Sequence, residues 1–371
     1  MSASPLSAAV VDLDDTDGLL AADRLGLLRA ASMAGAQVRA TAAALAEGEL
    51  DPVRSDAPPR TVVWIAGRGT SEAAATMLSA LVGGSVGAPI VVAAEAPPWL
   101  GALDVLVVAG DDPTDPALVN AAAAGVRRGA RVVVVAPFEG PLRDVTAGRA
   151  VPLPPRLLVP DDFTMVRFLA AGLAVLAATI TGFTFDLDAL ADELDSEAFR
   201  NSAAREVFTN PAKELAQRLE GRDVVFAGDT AAMRALARHA ATVMLRVANQ
   251  TVAAAGLSDV LAALRTGWGR SGGVAPSIFH DEEIDGPLPA RTRTLVLTSD
   301  ADRPEVSARL RGFDDVDVIN AYDVPDVEAT RGSQEAAGST AMPVSARPEQ
   351  QLALLAVRLE MAAVYQRLIR G

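Results

Sequence analysis

The sequence predicts an α/β fold with two domains, each a parallel sheet flanked by helices, and three observations support this. Short β-branched runs alternate with alanine-rich helical segments, which is the pattern of βαβ units. Half of the residues are hydrophobic but only 4% are aromatic, so the core must consist of Ala, Val and Leu, as in buried parallel sheets. With 371 residues, the chain is long enough for two domains.

The N-terminal half shows the clearer alternation. Residues 19–48 have helical spacing with an Ala/Leu face, and the prolines of 51–60 end that pattern. The following stretches are then predicted in turn: strands 61–66, 89–94, 103–110 and 131–137, and helices 70–83 and 115–128. We therefore expect an acidic N-terminal segment with a helix over 1–50 and a first domain over 51–150.

A proline-rich stretch separates this half from the next. Residues 151–160 predict a linker or an extended crossover, and an apolar helix (168–185) and an acidic helix (about 187–205) complete a connecting segment at 151–209. Alternation resumes over 210–371, the second domain. Its predicted elements are helices 211–220, 230–248, 257–265 and 348–370, strands 223–228, 293–299 and 315–320, and a long loop at 326–349.

Charge and residue usage exclude several classes of function. The chain has no cysteine, which excludes disulfides, thiolate zinc sites and cysteine nucleophiles. Its two histidines, His239 and His280, cannot form a polyhistidine metal site, and we expect neither a metal nor another cofactor. The formal charge is −14 without a basic stripe, so we expect no nucleic acid and no membrane as a partner.

One stretch must be weighed as a membrane span. Residues 168–185 carry no charge, and their length is near the lower limit for a spanning helix. Because small residues dominate this stretch and acids flank it, we interpret it as a buried or interface helix, with membrane insertion as the alternative. The first ten residues do not resemble a signal peptide, so we expect a cytoplasmic protein.

The most informative local motif is the turn Gly67-Arg68-Gly69-Thr70-Ser71, between an apolar strand and an alanine-rich helix. Backbone N–H groups and the positive end of a helix dipole meet at such a turn, and Thr70 and Ser71 can donate hydroxyls. The turn therefore predicts a small-anion site. The simpler interpretation is that any α/β protein turns this way, with glycine serving only for sterics.

Four segments occur in the order of the landmarks of a known family. They are the turn at 66–76, the proline-rich linker with its apolar helix, NPAKELAQRLEGRDVVFAG at 210–228, and SIFHDEEIDG at 277–286. Over roughly residues 20–370, the chain resembles the bifunctional phosphoglucose/phosphomannose isomerases, which are built from two sugar-isomerase (SIS) domains. The resemblance implies two SIS-like domains here.

The resemblance also implies aldose–ketose isomerisation of a hexose 6-phosphate by a homodimer. In that chemistry a histidine assists ring opening and a carboxylate moves a proton between C1 and C2. His280 would be the histidine, and Glu283 could serve as a displaced base. The partner would be a sugar phosphate or a related carbohydrate derivative. The simpler interpretation of His280 is a solvated loop histidine beside acids.

The chain also departs from the family. The loop after the third strand, Ser/Thr-rich in the family, reads Gly-Asp-Asp-Pro-Thr-Asp at 110–115, and its carboxylates would repel a phosphate. The place of the family's catalytic glutamate reads Ala-Asn-Gln-Thr at 248–251, and an amide cannot accept the proton. The family's lysine near the C-terminal helix cannot be present, because Lys213 is the only lysine. Two functions stay open: an isomerase with a rearranged site, or a non-catalytic SIS protein that senses a carbohydrate derivative or regulates a partner enzyme.

The N-terminus offers a third hypothesis. Residues 10–16 match the Asp-x-Asp-x-Thr motif of haloacid-dehalogenase-type phosphatases, with Asp12 at the position of the nucleophile beside Mg²⁺. Lys213 and Asp229 could then be later motifs. However, the strand before Asp12 is very short, and Met233 stands where a second acid is expected. The simpler interpretation is an acidic, flexible tail.

Overall fold

The computed structural model describes residues 11–67, 69–268, 291–322 and 347–371. Their contacts divide the chain into two compact units. Each unit is named here after the sheet formed by its described residues. The five-stranded unit comprises 26–199 and 348–357, and the four-stranded unit comprises the remainder. The finer division into segments 1–50, 51–150, 151–209 and 210–371 stays a prediction.

The N-terminal segment is helical but interrupted. Helix α1 (Thr16–Ala22) belongs to the four-stranded unit, whereas α2 (Leu27–Ser32) and α3 (Ala34–Ala46) belong to the five-stranded unit. The continuous helical pattern predicted over 19–48 is therefore broken. Gly26 adopts a left-handed φ of 65°, which glycine tolerates and which a continuous helix does not permit.

The sheet of the five-stranded unit is parallel throughout, with strand order β2-β1-β3-β4-β5. Its strands are β1 (Val62–Ala66), β2 (Ile90–Ala93), β3 (Val105–Ala109), β4 (Arg131–Val135) and β5 (Ala150–Pro152). The helices between and after them are α4 (Thr70–Val82), α5 (Pro116–Arg127), α6 (Gly140–Thr146), α7 (Met165–Thr179) and α8 (Leu187–Arg200). β1, β3 and β4 are almost wholly buried, as their nearly continuous apolar sequences, rich in β-branched residues, predict.

The proline-rich stretch begins as a strand rather than a linker. Residues 150–152 pair with β4 as the edge strand β5. An edge strand has one side without ladder partners, so Pro152 can lie there without losing a required N–H. The predicted linker or crossover over 151–160 is therefore wrong for residues 151 and 152, and beyond this strand it stays a prediction.

The apolar stretch after the linker forms α7, a buried helix of 15 residues that packs against α3 and α4. It ends at Thr179, because Ile180 takes an extended conformation, so the predicted helix over 168–185 is too long at its C-terminal end. Throughout the ranges described by the structure, we find no helix that is both long and apolar enough to cross a bilayer.

The four-stranded unit also has a parallel sheet, with order β7-β6-β8-β9 over the described residues. Its strands are β6 (Arg222–Gly228), β7 (Ala253–Gly256), β8 (Arg291–Leu297) and β9 (Val316–Ile319). Its helices are α9 (Pro211–Leu219), α10 (Ala231–Ala248), α11 (Leu257–Arg265) and α12 (Arg303–Arg309). The fold class predicted from the sequence, two parallel α/β sheets flanked by helices, is confirmed.

The last helix, α13 (Pro348–Arg370), is buried along most of its length. Within the four-stranded unit, Lys213 of α9 is fully buried and its Nζ donates hydrogen bonds to the carbonyls of Ala203 and Arg205, at 2.8 and 2.7 Å. His239 of α10 lies 2.9 Å (Nε2 to Oε1) from Glu360 of α13, and both are buried. These polar groups hold secondary structure elements of the unit together.

Candidate functional site

The turn between β1 and α4 lies at the carboxyl edge of the five-stranded sheet. Gly69 has φ of 96°, a conformation that side-chain-bearing residues rarely adopt. At Gly67, a Cβ atom would lie 3.1 Å from Leu118 Cδ1 and 3.3 Å from Gly110 Cα, so a side chain here would require these neighbours to shift by a few tenths of an ångström. The backbone conformation therefore requires glycine at position 69, and tight packing favours it at position 67.

Two predicted ligand donors of this turn already have partners inside the protein. Ser71 is fully buried, and its Oγ donates to the Ala109 carbonyl (2.9 Å) and accepts from the indole N–H of Trp64 (3.2 Å). The Thr70 hydroxyl forms a buried 2.8 Å hydrogen bond with the Thr164 hydroxyl. Arg68, the remaining member of the predicted site with a long side chain, lies outside the described residues.

The loop after β3 brings a carboxylate to the same edge. Asp111 Oδ1 accepts a hydrogen bond from Arg167 Nη2 at 2.8 Å, and Asp111 Oδ2 lies 3.1 Å from Thr164 Oγ1. Thr164 is the N-cap residue of α7, and Arg167 is in its first turn. Asp111, Arg167, Thr164 and Thr70 thus form one polar cluster, called here the edge cluster.

The arginine of the edge cluster is almost completely withdrawn from solvent. Its side chain is 8% exposed, and its guanidinium lies over the Phe168 ring, 4.1 Å from the ring centre. Its Nε has no hydrogen-bond partner among the residues that the structure describes. A small cavity of about 10 Å³ is lined by Arg167 and by Gln37, whose buried Oε1 likewise has no partner within the described ranges.

Burial dominates the electrostatics of the cluster. It raises the pKa of Asp111 above its usual value, although the charge of Arg167 opposes this shift. The negative charge of Asp161 raises the Asp111 pKa further. Burial also lowers the pKa of Arg167, against the attraction of Asp111. The desolvation of the two charges is therefore only partly offset by their mutual attraction.

The other two acids of this loop have structural roles. Asp112 Oδ1 accepts hydrogen bonds from the backbone N–H and the hydroxyl of Thr114, at 2.8 and 2.6 Å. Asp115 is the N-cap of α5 and accepts from the Ala117 N–H at 2.9 Å. Of the three carboxylates that the sequence places here, Asp111 is the one that the structure pairs with the buried arginine.

The carboxyl edge of the four-stranded sheet carries a second, smaller polar group. Asp229 follows β6, and its Oδ2 accepts a 2.6 Å hydrogen bond from the Thr298 hydroxyl at the end of β8. Burial raises the pKa of Asp229, while the hydrogen bonds from Thr298 and from the Thr230 N–H oppose that shift. The predicted catalytic residues of this unit, His280 and Glu283, lie outside the described residues.

Residues 248–251, where the resemblance would place a glutamate, end a helix. Asn249 is the C-cap of α10 with a left-handed φ of 52°, and the Gln250 N–H donates to the Met244 carbonyl at 3.0 Å. Asparagine is among the few residues that adopt this conformation readily. Asn249 and Gln250 therefore have a structural role, which is to end α10.

The described structure around Asp12 gives the phosphatase hypothesis no support. The residues before Val11, where the short strand of this hypothesis would lie, are outside the described residues. Asp14 accepts the backbone N–H of Val207 at 2.8 Å, and Asp15 caps α1 through the N–H of Gly18 at 2.9 Å. Across the described ranges, no group of three or more His, Asp or Glu side chains could hold a metal ion. The acidic motif therefore builds a turn and a helix cap.

Sequence reasoning missed the edge cluster. Arg167 and Asp111 are separated by 56 positions, and from the sequence Asp111 is interpreted only as a charge that repels phosphate. One local signal was present: Arg167 directly precedes the long uncharged stretch of α7, where a lone charge needs a buried partner.

The chain is similar to known proteins in structure rather than in sequence. No protein-family model and no curated protein sequence matches the chain. A glucose-6-phosphate isomerase-like protein from Thermus thermophilus aligns with 20% identity and a TM-score of 0.52, over 97% of this chain and 94% of its own.

Two further structures share the fold. Tagatose-6-phosphate ketose/aldose isomerase from Escherichia coli aligns with 17% identity and a TM-score of 0.56, over 100% of this chain and 96% of its own. The C-terminal domain of glucosamine-fructose-6-phosphate aminotransferase from Francisella tularensis aligns with 11% identity and a TM-score of 0.54, over 100% and 98%. At these identities the likeness concerns the fold alone: two parallel α/β sheets flanked by helices.

Proposed function

We propose that this chain, which has the fold of SIS-domain proteins, binds a sugar phosphate or a related carbohydrate derivative without isomerising it. Structural neighbours whose names include sugar-phosphate isomerases support the class of ligand. The edge cluster is the observation that supports binding without isomerisation. Its two hydroxyls bind each other and Arg167 Nη2 binds Asp111, so these donors are engaged within the protein rather than with a reacting phosphosugar.

The four-stranded unit supports the same proposal. A proton-transfer base is needed between C1 and C2, and the place where the resemblance puts a glutamate holds amides that terminate α10. We also propose that the protein acts in the cytoplasm as a homodimer. In that setting it would report the level of a carbohydrate derivative to a partner enzyme.

The alternative is an active isomerase with a rearranged site. In that case His280 opens the sugar ring, Glu283 moves the proton, and Gly67, Arg68, Gly69, Thr70 and Ser71 hold the phosphate through backbone and side-chain donors. This alternative remains a hypothesis that the same experiments address.

Coupled isomerase assays with glucose 6-phosphate and mannose 6-phosphate separate the two. We expect no turnover above background, together with a rise in melting temperature for at least one carbohydrate in a panel of sugar phosphates and matched free sugars. Inorganic phosphate is the control for non-specific anion effects.

Turnover that is lost in His280→Ala and reduced in Glu283→Gln would establish the active isomerase and overturn our proposal. The absence of any thermal shift across the whole panel would contradict carbohydrate binding.

A further inference from the structure

The edge cluster combines the kinds of donor that proteins use to bind oxyanions. Thr70 is the first residue of α4, and Thr164 is the N-cap residue of α7, without a capping hydrogen bond from its side chain. Two hydroxyls therefore lie at the positive ends of two helices of 13 and 15 residues. Arg167 adds a guanidinium, the group best suited to two-point binding of carboxylate or phosphate. All three side chains belong to the five-stranded unit and are at least 90% buried.

The hydroxyl hydrogens can be arranged toward an anion. A hydroxyl has one hydrogen to donate, so when Thr164 donates to Asp111, Thr70 must be the donor in the Thr70–Thr164 bond. Thr164 Oγ1 lies 3.0 Å from the Asp161 carbonyl and 3.1 Å from Oδ2 of Asp111, so these two acceptors share its one hydrogen, and Thr70 donates to Thr164 in either case. Arg167 holds the other oxygen, Oδ1.

The cluster also has donor capacity that Asp111 does not use. Arg167 Nε, in a nine-tenths buried side chain, has no partner among the described residues, and the Arg167 side chain lines the small cavity shared with Gln37. A buried donor that stays unpaired costs about 1–3 kcal/mol, so this nitrogen favours any acceptor that reaches it. The donor set therefore exceeds what its own carboxylate needs.

We propose that Arg167, Thr164 and Thr70 form a binding site for a small oxyanion, carboxylate or phosphate, and that the Asp111 carboxylate occupies this site from within the chain. In the native protein Asp111 thereby excludes phosphate from the edge cluster. A ligand that reaches this edge must present a neutral or cationic group to Asp111. The inference does not depend on the proposed function, because it concerns simple anions.

The test uses the full-length protein and inorganic phosphate, with chloride at matched ionic strength as the reference. Asp111→Ser removes the internal carboxylate and leaves space, whereas Asp111→Asn removes only its charge and keeps its shape. Asp144→Ser is the control for net charge, because Asp144 is an exposed acid of the same unit. We expect about 20 mM phosphate to raise the melting temperature of Asp111→Ser by about 3 °C or more, and to leave the wild type, Asp111→Asn and Asp144→Ser unchanged.

Adding Arg167→Gln to Asp111→Ser must abolish the shift, since the guanidinium is the main donor. If Asp111→Ser does not fold in chloride, phosphate or formate must restore its folding. A phosphate shift in the wild type equal to that of Asp111→Ser would overturn the inference. So would a lack of response to both anions in Asp111→Ser, or a shift that persists without Arg167.

Discussion

Strand β3 carries a buried carboxylate near each end, and the two are held in different ways. Asp104, just before the strand, has no exposed surface and accepts hydrogen bonds from two guanidinium nitrogens of Arg60 and from the Gly101 N–H. The side chain of Arg60 is 51% exposed, so its charge stays hydrated. At the other end, Asp111 is paired with Arg167, whose side chain is 8% exposed.

The difference shows that similar ion pairs can serve separate purposes. Near Asp104, the guanidinium of Arg60 stays hydrated and the carboxylate accepts hydrogen bonds on both oxygens. This pair has a structural role at the amino edge of the sheet. Near Asp111, both charges are desolvated and one donor is left over, at the sheet edge where α/β folds bind ligands. The second arrangement costs stability, and we therefore interpret it as a binding arrangement rather than a structural one.

The largest expected effect comes from breaking the buried pair. Asp111→Ala leaves the Arg167 charge buried without a counter-charge and should lower the free energy of unfolding by about 3–5 kcal/mol. The double variant Asp111→Leu with Arg167→Met removes both charges and should lose less than about 1 kcal/mol. Denaturant unfolding of the single and double variants measures both values.

At the other end of β3, the corresponding double variant Asp104→Leu with Arg60→Met should be no more stable than the single variant Asp104→Leu. The Gly101 N–H would lose its acceptor there, whereas no backbone donor depends on Asp111 in the described hydrogen bonds. Equal recovery at the two ends would contradict the comparison.

A smaller effect is expected from the third acid of the same loop. Asp115→Ala removes the N-cap of α5 and should cost about 1 kcal/mol, whereas Asp115→Ser keeps a capping oxygen and should cost a few tenths of a kcal/mol. Thermal unfolding in the presence and absence of phosphate checks this prediction. Neither variant should gain a phosphate response. A response in Asp115→Ala would mean that the loop's total charge, rather than Asp111, excludes the anion.

The smallest effect is on pH dependence. Because the folded-state pKa of Asp111 is raised, its contribution to stability is fully present below its usual value of 3.8 and is lost as the pH rises through the raised value. Asp111→Asn has no such titration. The stability of the wild type minus that of the variant should therefore fall as the pH rises above about 4 and then level off.

Unfolding free energies of both proteins, measured at closely spaced pH values, give this difference directly. A difference that rises with pH would show that the attraction of Arg167 outweighs burial and lowers the pKa instead. The other titrating groups cancel, because the two proteins differ at one residue.

The fold could be predicted from the sequence because its strongest signals are local. The segments that form β1 and β4 are short apolar runs, rich in β-branched residues and bounded by turns, and such runs are typical of buried parallel strands. β7 was missed because its sequence, Ala-Ala-Ala-Gly at 253–256, contains no β-branched residue. Its pairing with β6 comes from the tertiary fold.

The candidate site was less accessible to sequence reasoning. The turn at 67–71 was recognisable, but no local rule indicates that Trp64 and Ala109 hydrogen-bond the Ser71 hydroxyl. The pairing of Asp111 with Arg167 depends on how α7 packs against α4 and β4. Packing of this kind joins residues that are distant in the chain, and a single sequence carries little information about it. The predicted roles of His280, Glu283 and Arg68 remain predictions.

The buried Lys213 is a natural probe for local opening of the four-stranded unit. It is the only side-chain amine in the chain, and its Nζ is held by two carbonyls in the interior of the four-stranded unit. Reagents that acylate amines must wait for this unit to open before they reach it. The rate of labelling at this single atom therefore follows local opening of the four-stranded unit, without any engineered probe.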